Sequence, residues 1–196
     1  MKNIFAFSIA VILFSSCHNT KAMSAAQPDQ YARTEQAADP FLHELQQNNE
    51  LVLAFAVETY AWAKTVSYKA IAFNNDEWRG YNWYVNKSQA VEVMPNINPL
   101  TVNNDSCNAV WDFFKTKEVW KIKGDTGDGF CTGDKANNCT INDGAYWRLL
   151  ILTKDKITDP AYYEPEFFEQ CCPGNTDRAL FTEAQHKLQS VMGIGR

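Results

Sequence analysis

Val66-Ser67-Tyr68-Lys69-Ala70-Ile71-Ala72-Phe73 and Trp78-Arg79-Gly80-Tyr81-Asn82-Trp83-Tyr84-Val85 flank Asn74-Asn75-Asp76, and the reading of this stretch decides the fold. Two runs rich in β-branched and aromatic residues, joined by a cluster of turn formers, specify a β-hairpin. Trp78, Tyr81, Trp83 and Tyr84 alternate along the second arm and cannot all enter one core layer. One face of the hairpin is therefore expected to carry an aromatic platform for a ligand, because Tyr and Trp combine a large apolar body with a polar edge, which suits sugars or protein partners. The competing reading has the sheet buried by helices on one face and by loops or the preceding segment on the other.

Outward from the hairpin, Leu51 to Val57 is a continuous apolar run. It fits a buried strand or the start of an Ala-rich helix reaching Ala63, and the strand is preferred. Before it, Asp39-Pro40 pairs an N-cap acceptor with Pro at the first helical position. Phe41, Leu42 and Leu45 make one face of a short helix ending at Asn48-Asn49. After the hairpin, Pro95 and Pro99 mark a long connection. Asp105 or Ser106 is expected to cap a helix running to about Lys117, with Cys107, Val110, Phe113 and Phe114 inward. Glu118 to Lys123 alternates like a strand, Gly124 to Gly144 reads as a loop, and Tyr146 to Leu152 reads as a central strand. Pro160, Pro165 and Pro173 break the following segment, and Asp177 to Val191 has a last helical pattern with Leu180, Phe181, Ala184 and Leu188 on one face. The sum is an α+β fold: an antiparallel sheet of about five strands, helices packed on one face, braced by disulfides.

Besides Cys17 there are Cys107, Cys131, Cys139, Cys171 and Cys172, an odd number that predicts two disulfides and one spare. Cys131 and Cys139 are close enough in sequence to close a loop, and Cys107 is expected to pair with Cys171 or Cys172. The spacings do not match the short pairs through which two thiolates meet one zinc ion.

The 196 residues, with 18 Lys plus Arg against 23 Asp plus Glu, suit one globular domain without the clustered cations that bind nucleic acid. Recognisable catalytic patterns fail one by one. His43-Glu44 begins like the zinc-protease helix motif, but Gln47 stands where the second His belongs. His18 and His186 read as solvated, and no Ser sits in a nucleophile elbow. Asp125, Asp128, Asp134, Asn137, Asn138, Asn142 and Asp143, within Gly124 to Gly144, offer oxygens to calcium, although without EF-hand spacing. No other cofactor or metal is expected. Glu164, Glu166 and Glu169 are the carboxylates from which a glycan hydrolase would draw an acid/base pair, depending on their separation in space.

At the start of the chain, Lys2 and Asn3 precede an apolar run from Ile4 to Phe14, then Ser15-Ser16-Cys17. The run is too short to span a bilayer and reads as a secretory signal. Leu13-Phe14-Ser15-Ser16-Cys17 resembles the bacterial lipoprotein box, with Phe14 where an aliphatic residue is usual. That resemblance implies lipidation at Cys17, which becomes the mature N-terminus. With His18 rather than Asp next, it also implies delivery to the outer membrane, facing the periplasm or the cell surface. The alternative is an ordinary secretory signal in which Cys17 is incidental. Residues 17–38 then form a flexible tether and 39–196 the folded domain. Asp143-Gly144-Ala145-Tyr146-Trp147 and Tyr162-Tyr163-Glu164-Pro165-Glu166-Phe167 together resemble small bacterial envelope lipoproteins, a group without an established activity. The expected function is a lipid-anchored binding module for a glycan or an envelope protein, more a binder than an enzyme. The alternatives are a hydrolase of envelope or imported glycans and a purely structural lipoprotein.

Overall fold

Asn75 and Asp76, with φ of 52° and 62°, join β2 (Thr65–Asn74) to β3 (Glu77–Asn86). Two successive left-handed residues match the right-handed twist of the strands they connect. The register runs from Asn74 opposite Glu77, through Tyr68 opposite Trp83, to Thr65 opposite Asn86. The computed structural model describes residues 39–59, 65–86, 95–125, 131 and 139–193. The signal, Cys17, the tether and much of the Gly124 to Gly144 segment, including Asp128 and Asp134, lie outside the described residues.

The expected Leu51 run is β1 (Leu51–Thr59), and the expected central strand is β5 (Ala145–Thr153). Three short strands complete an antiparallel sheet: β4 (Asn98–Leu100), β6 (Lys156–Thr158) and β7 (Ala161–Tyr163). The order is β4-β3-β2-β1-β5-β6, with β7 also on β5. On that edge β6 pairs with Ile151 to Thr153 and β7 with Tyr146 to Arg148.

Four helices pack against this sheet. α1 (Pro40–Asn48) is capped by Asp39, whose Oδ1 accepts from the Phe41 and Leu42 amides at 3.0 and 3.1 Å. α2 (Asn104–Thr116) is capped by Asn103, not by Asp105 or Ser106, because the Asn103 Oδ1 accepts from the Ser106 amide at 2.9 Å. α3 (Pro165–Cys171) starts at a proline that the sequence reading took only as a breaker. α4 (Thr176–Val191) follows Asn175 as cap. Within the described residues no helix is long and apolar enough to cross a membrane.

The α+β architecture agrees with the sequence; the strand count and helix placement differ in detail. Among the described residues seven strands form, and the segment at Glu118 to Lys123 is not one of them. There Glu118 takes φ 50° and a 3-10 turn follows over Val119–Lys121. Val119 and Ile122, three apart, become the buried pair, a spacing that suits a 3-10 turn rather than an alternating strand. Helices cover both faces. Leu53, Phe55, Leu149 and Ile151 face Phe114 of α2 and Phe181 and Leu188 of α4. Val52, Ala54, Leu150 and Leu152 face Phe41, Leu42 and Leu45 of α1.

Candidate functional site

The four aromatic residues of β3 do not form one platform. Trp78 lies buried under α2, its indole donating to Asn108 Oδ1 at 2.8 Å and its ring against Phe73. Trp83 is buried on the opposite face, stacked on Tyr68 with centroids 5.0 Å apart, edge-on to Phe41, and donating to Asp39 Oδ2 at 2.9 Å. Tyr81 sits beside Phe41 on that face. Only Tyr84, 58% exposed, turns to solvent. Helices on both faces consume the Trp side chains as core, which removes Trp78 and Trp83 from the expected ligand site.

Tyr84 nevertheless belongs to a surface. Register places it opposite Ser67, Ser67 opposite Val57, and Val57 opposite Trp147. This row crosses β3, β2, β1 and β5 on the α2 and α4 side of the sheet, beyond the part those helices bury. Ser67, Val57 and Trp147 are half-buried and Tyr84 exposed. Three strand spacings put the two outer aromatic residues about 14 Å apart at the backbone. The neighbouring Lys69–Asn82 and Thr65–Asn86 pairs add an ammonium, amides and a hydroxyl to the same face. Trp147 is held by stacking on Phe55 at 6.5 Å. Sequence reasoning missed Trp147, Ser67 and Lys69, because their alignment with Tyr84 depends on which strand lies beside which.

The other face holds buried charge instead. Arg148 reaches Asp159 through two nitrogens, with Nε to Oδ1 at 3.1 Å and both side chains almost fully buried. Glu58 is buried at the end of β1. Burial raises the Tyr68 hydroxyl well above its ordinary range, reinforced by the Asp39, Asp159 and Glu58 carboxylates. Burial also raises Asp39, against the hydrogen bonds from the Leu42 amide, the Trp83 indole and the Phe41 amide, which favour its charged form. Asp39 fastens α1 to β3 through Trp83, and Arg148 fastens β5 to the turn between β6 and β7. The sequence signal of Arg148 and Glu58 is a charge inside an otherwise apolar strand.

Two disulfides form, as expected in number but not in pairing. Cys131 bonds Cys172 and Cys139 bonds Cys171, with Cα separations of 5.7 and 5.9 Å. Cys107 is the spare, buried under the sheet with its thiol pushed up to about 11 by burial. The cause is α2, whose inward face places Cys107 in the apolar core, away from the α3 end that carries Cys171 and Cys172. The two bonds thus tie Cys131 and Cys139 to the junction of α3 and α4. Arg178, buried, donates to the Cys172 carbonyl at 2.5 Å and to Glu169 at 3.1 Å.

The remaining candidates have structural partners. Glu164 accepts from the Ala145 amide at 2.6 Å, Glu166 meets His186 at 2.5 Å, and Glu169 holds Arg178. His186 is therefore an inter-helix partner rather than a free surface group. Asp125 is buried beside β7, its amide bonded to the Ala161 carbonyl, while Asn142 and Asp143 are exposed. Gly144 is packed so that a Cβ would lie 2.6 Å from the Tyr163 hydroxyl and the Glu164 Cγ. The two motifs around Asp143 and Tyr162 thus meet as one structural knuckle. No protein-family model and no curated protein matches this chain.

Proposed function

We propose that the protein is a lipid-anchored binding module of the bacterial cell envelope, held at the outer membrane through Cys17 and binding a glycan across the exposed sheet face. The observation that carries the reading is the row Tyr84, Ser67, Val57 and Trp147, an aromatic residue at each end and polar side chains beside it. A sugar offers both kinds of contact this surface takes: C–H faces that stack on aromatic rings, and hydroxyls that meet amide, hydroxyl and ammonium groups. A flat sheet face costs little reorganisation on binding, because its side chains project from paired strands.

The test is thermal unfolding of the mature protein against soluble glycans and peptidoglycan fragments. A ligand at a hundredfold excess over its Kd stabilises by about 2.7 kcal/mol and raises the midpoint by several degrees. The shift is expected to shrink in Tyr84→Ala and Lys69→Ala, which leave the core intact. No shift with any glycan, or an undiminished shift in both variants, overturns the reading. Anchoring is tested separately: Cys17→Ser is expected to abolish fatty-acid labelling and release the protein from the membrane fraction, and retention of both overturns it.

A further inference from the structure

Cys139 Sγ and Cys172 Sγ belong to different disulfides yet lie 3.1 Å apart. The sulfurs of Cys131, Cys139 and Cys172 all fall within 4.8 Å of one another. In the oxidised protein none of them carries a proton, so the contact is sulfur against sulfur. Thiol–disulfide exchange proceeds by attack of a thiolate on a disulfide sulfur, and the attacking atom must already stand beside its target. Access is graded across the cluster: Cys131 and Cys172 are half-buried, whereas Cys139 is 6% exposed. Cys171 is half-buried as well, so an incoming thiol reaches Cys131 Sγ from outside, whereas Cys139 Sγ is left to an attacker already inside the cluster. Arg178, paired with Glu169, donates to the Cys172 carbonyl and fixes the backbone that carries this sulfur.

We propose that this cluster is a thiol–disulfide exchange site that accepts two electrons from a dithiol and passes the opened position from Cys172 to Cys171. The first thiolate of the dithiol attacks Cys131 Sγ, forming a mixed disulfide and expelling Cys172 as thiolate. Cys172 attacks Cys139 Sγ, forming a Cys139–Cys172 bond and breaking Cys139–Cys171; Cys171 leaves and takes a proton. The second thiol of the dithiol then attacks its own sulfur in the mixed disulfide, closing the dithiol's disulfide and releasing Cys131, which takes the other proton. The dithiol loses two electrons and two protons, and the protein holds them as thiols at Cys131 and Cys171.

The experiment treats the mature protein with a substoichiometric amount of dithiothreitol, traps thiols with N-ethylmaleimide and locates the label by tandem mass spectrometry. Label on Cys131 and Cys171 is the expected result; label confined to Cys131 and Cys172 overturns the proposal. Cys131→Ser gives a second reading without any reductant. Its free thiol begins at Cys172, and exchange is expected to divide the label between Cys172 and Cys171, whereas label on Cys172 alone overturns the proposal. Cys107, buried in the core, stays unlabelled while the fold is intact. A variant that labels Cys107 is unfolded, and the wild-type experiment then decides.

Discussion

Alternate residues of β1 and β5 feed two faces of one sheet. On the α2 and α4 side, Leu53, Phe55, Leu149 and Ile151 meet Phe114, Phe181 and Leu188, and the packing is large and apolar. On the α1 side, Ala54, Ala56, Ala70 and Ala72 lie among Val52, Leu150 and Leu152, and over them one nine-residue helix settles with a stacked Trp83 and Tyr68. Area and volume hold the first face, where two helices of 13 and 16 residues contribute. A nine-residue helix has little area to offer, and directed bonds take over: Asp39 to the α1 amides and to Trp83, and Arg148 to Asp159. A short helix on a sheet is fixed by what its cap can reach.

The sharpest way to break that contrast is Arg148→Ala. It leaves Asp159 buried without its bidentate partner, and breaking a buried ion pair from one side costs about 3 to 5 kcal/mol. Arg148→Lys is expected to recover only part, since an ammonium lacks the planar fork. Urea unfolding measures both, and a loss under about 1 kcal/mol for the alanine variant would mean that charge does not govern the α1 face. Next is Asp39→Ala, expected to cost about 2 to 4 kcal/mol, from a lost cap and a buried indole N–H left unpaired. Trp83→Phe removes the donor together with buried ring volume, and in the double variant with Asp39→Ala the losses should fall short of their sum, because each single variant breaks the same Asp39–Trp83 bond.

The same contrast explains how far the sequence could be read. The hairpin was legible because Asn74-Asn75-Asp76 supplies turn chemistry between two strand-like runs, and α1 because Asp39-Pro40 marks its start. The four long strands each contain a run read as a strand. The short edge strands were not legible: three residues hold no periodicity, and β4 forms because Gly80 lets Leu100 and Val102 approach where a Cβ would clash at 2.8 Å. The disulfide pairing was misread because loop length favoured Cys131 with Cys139, whereas the packing of α2 withdraws Cys107 and leaves four cysteines around the α3 end. Of the candidate site, Tyr84 was visible as one of four aromatic residues. Its companions Ser67, Val57 and Trp147 needed the strand order.

The apolar face has its own probe in alkaline solution. The folded state holds the Cys107 proton to about pH 11, against an ordinary value of 9.0. Between those values the unfolded chain binds fewer protons than the folded one, so stability is whole below pH 9 and falls as the pH rises toward 11. The loss amounts to about 2 to 3 kcal/mol. Burial raises the Tyr162 hydroxyl on this face and the Tyr68 hydroxyl on the other in the same direction, so their contributions begin to fall above the ordinary tyrosine value of 10.0. Cys107→Ala is expected to flatten the slope from the ordinary thiol value of 9.0 up to 10.0 and to lessen it from there to about 11, leaving the tyrosine fall in place. An unchanged slope would mean that the thiol is not buried in the apolar face.

The smallest effect expected is a gain, and it tests whether the losses above belong to the faces at all. Asp76 sits in the hairpin turn at φ 62°, with its side chain exposed. A left-handed backbone costs a non-glycine residue about 1 to 2 kcal/mol, and glycine escapes that cost while giving back about 0.5 to 1 kcal/mol through the freer unfolded chain. Asp76→Gly should therefore stabilise by about 0.5 to 1 kcal/mol and raise Tm by about 1 to 4 °C. The backbone N–H of Asn75 donates to Glu50 Oε1 at 3.4 Å, a bond that the change at Asp76 leaves in place. Combined with Arg148→Ala, the gain should add within about 0.5 kcal/mol, as independent sites do. A gain that disappears in the combined variant would mean that the hairpin is anchored through the α1 face, and the two faces would then have to be treated as one cooperative layer.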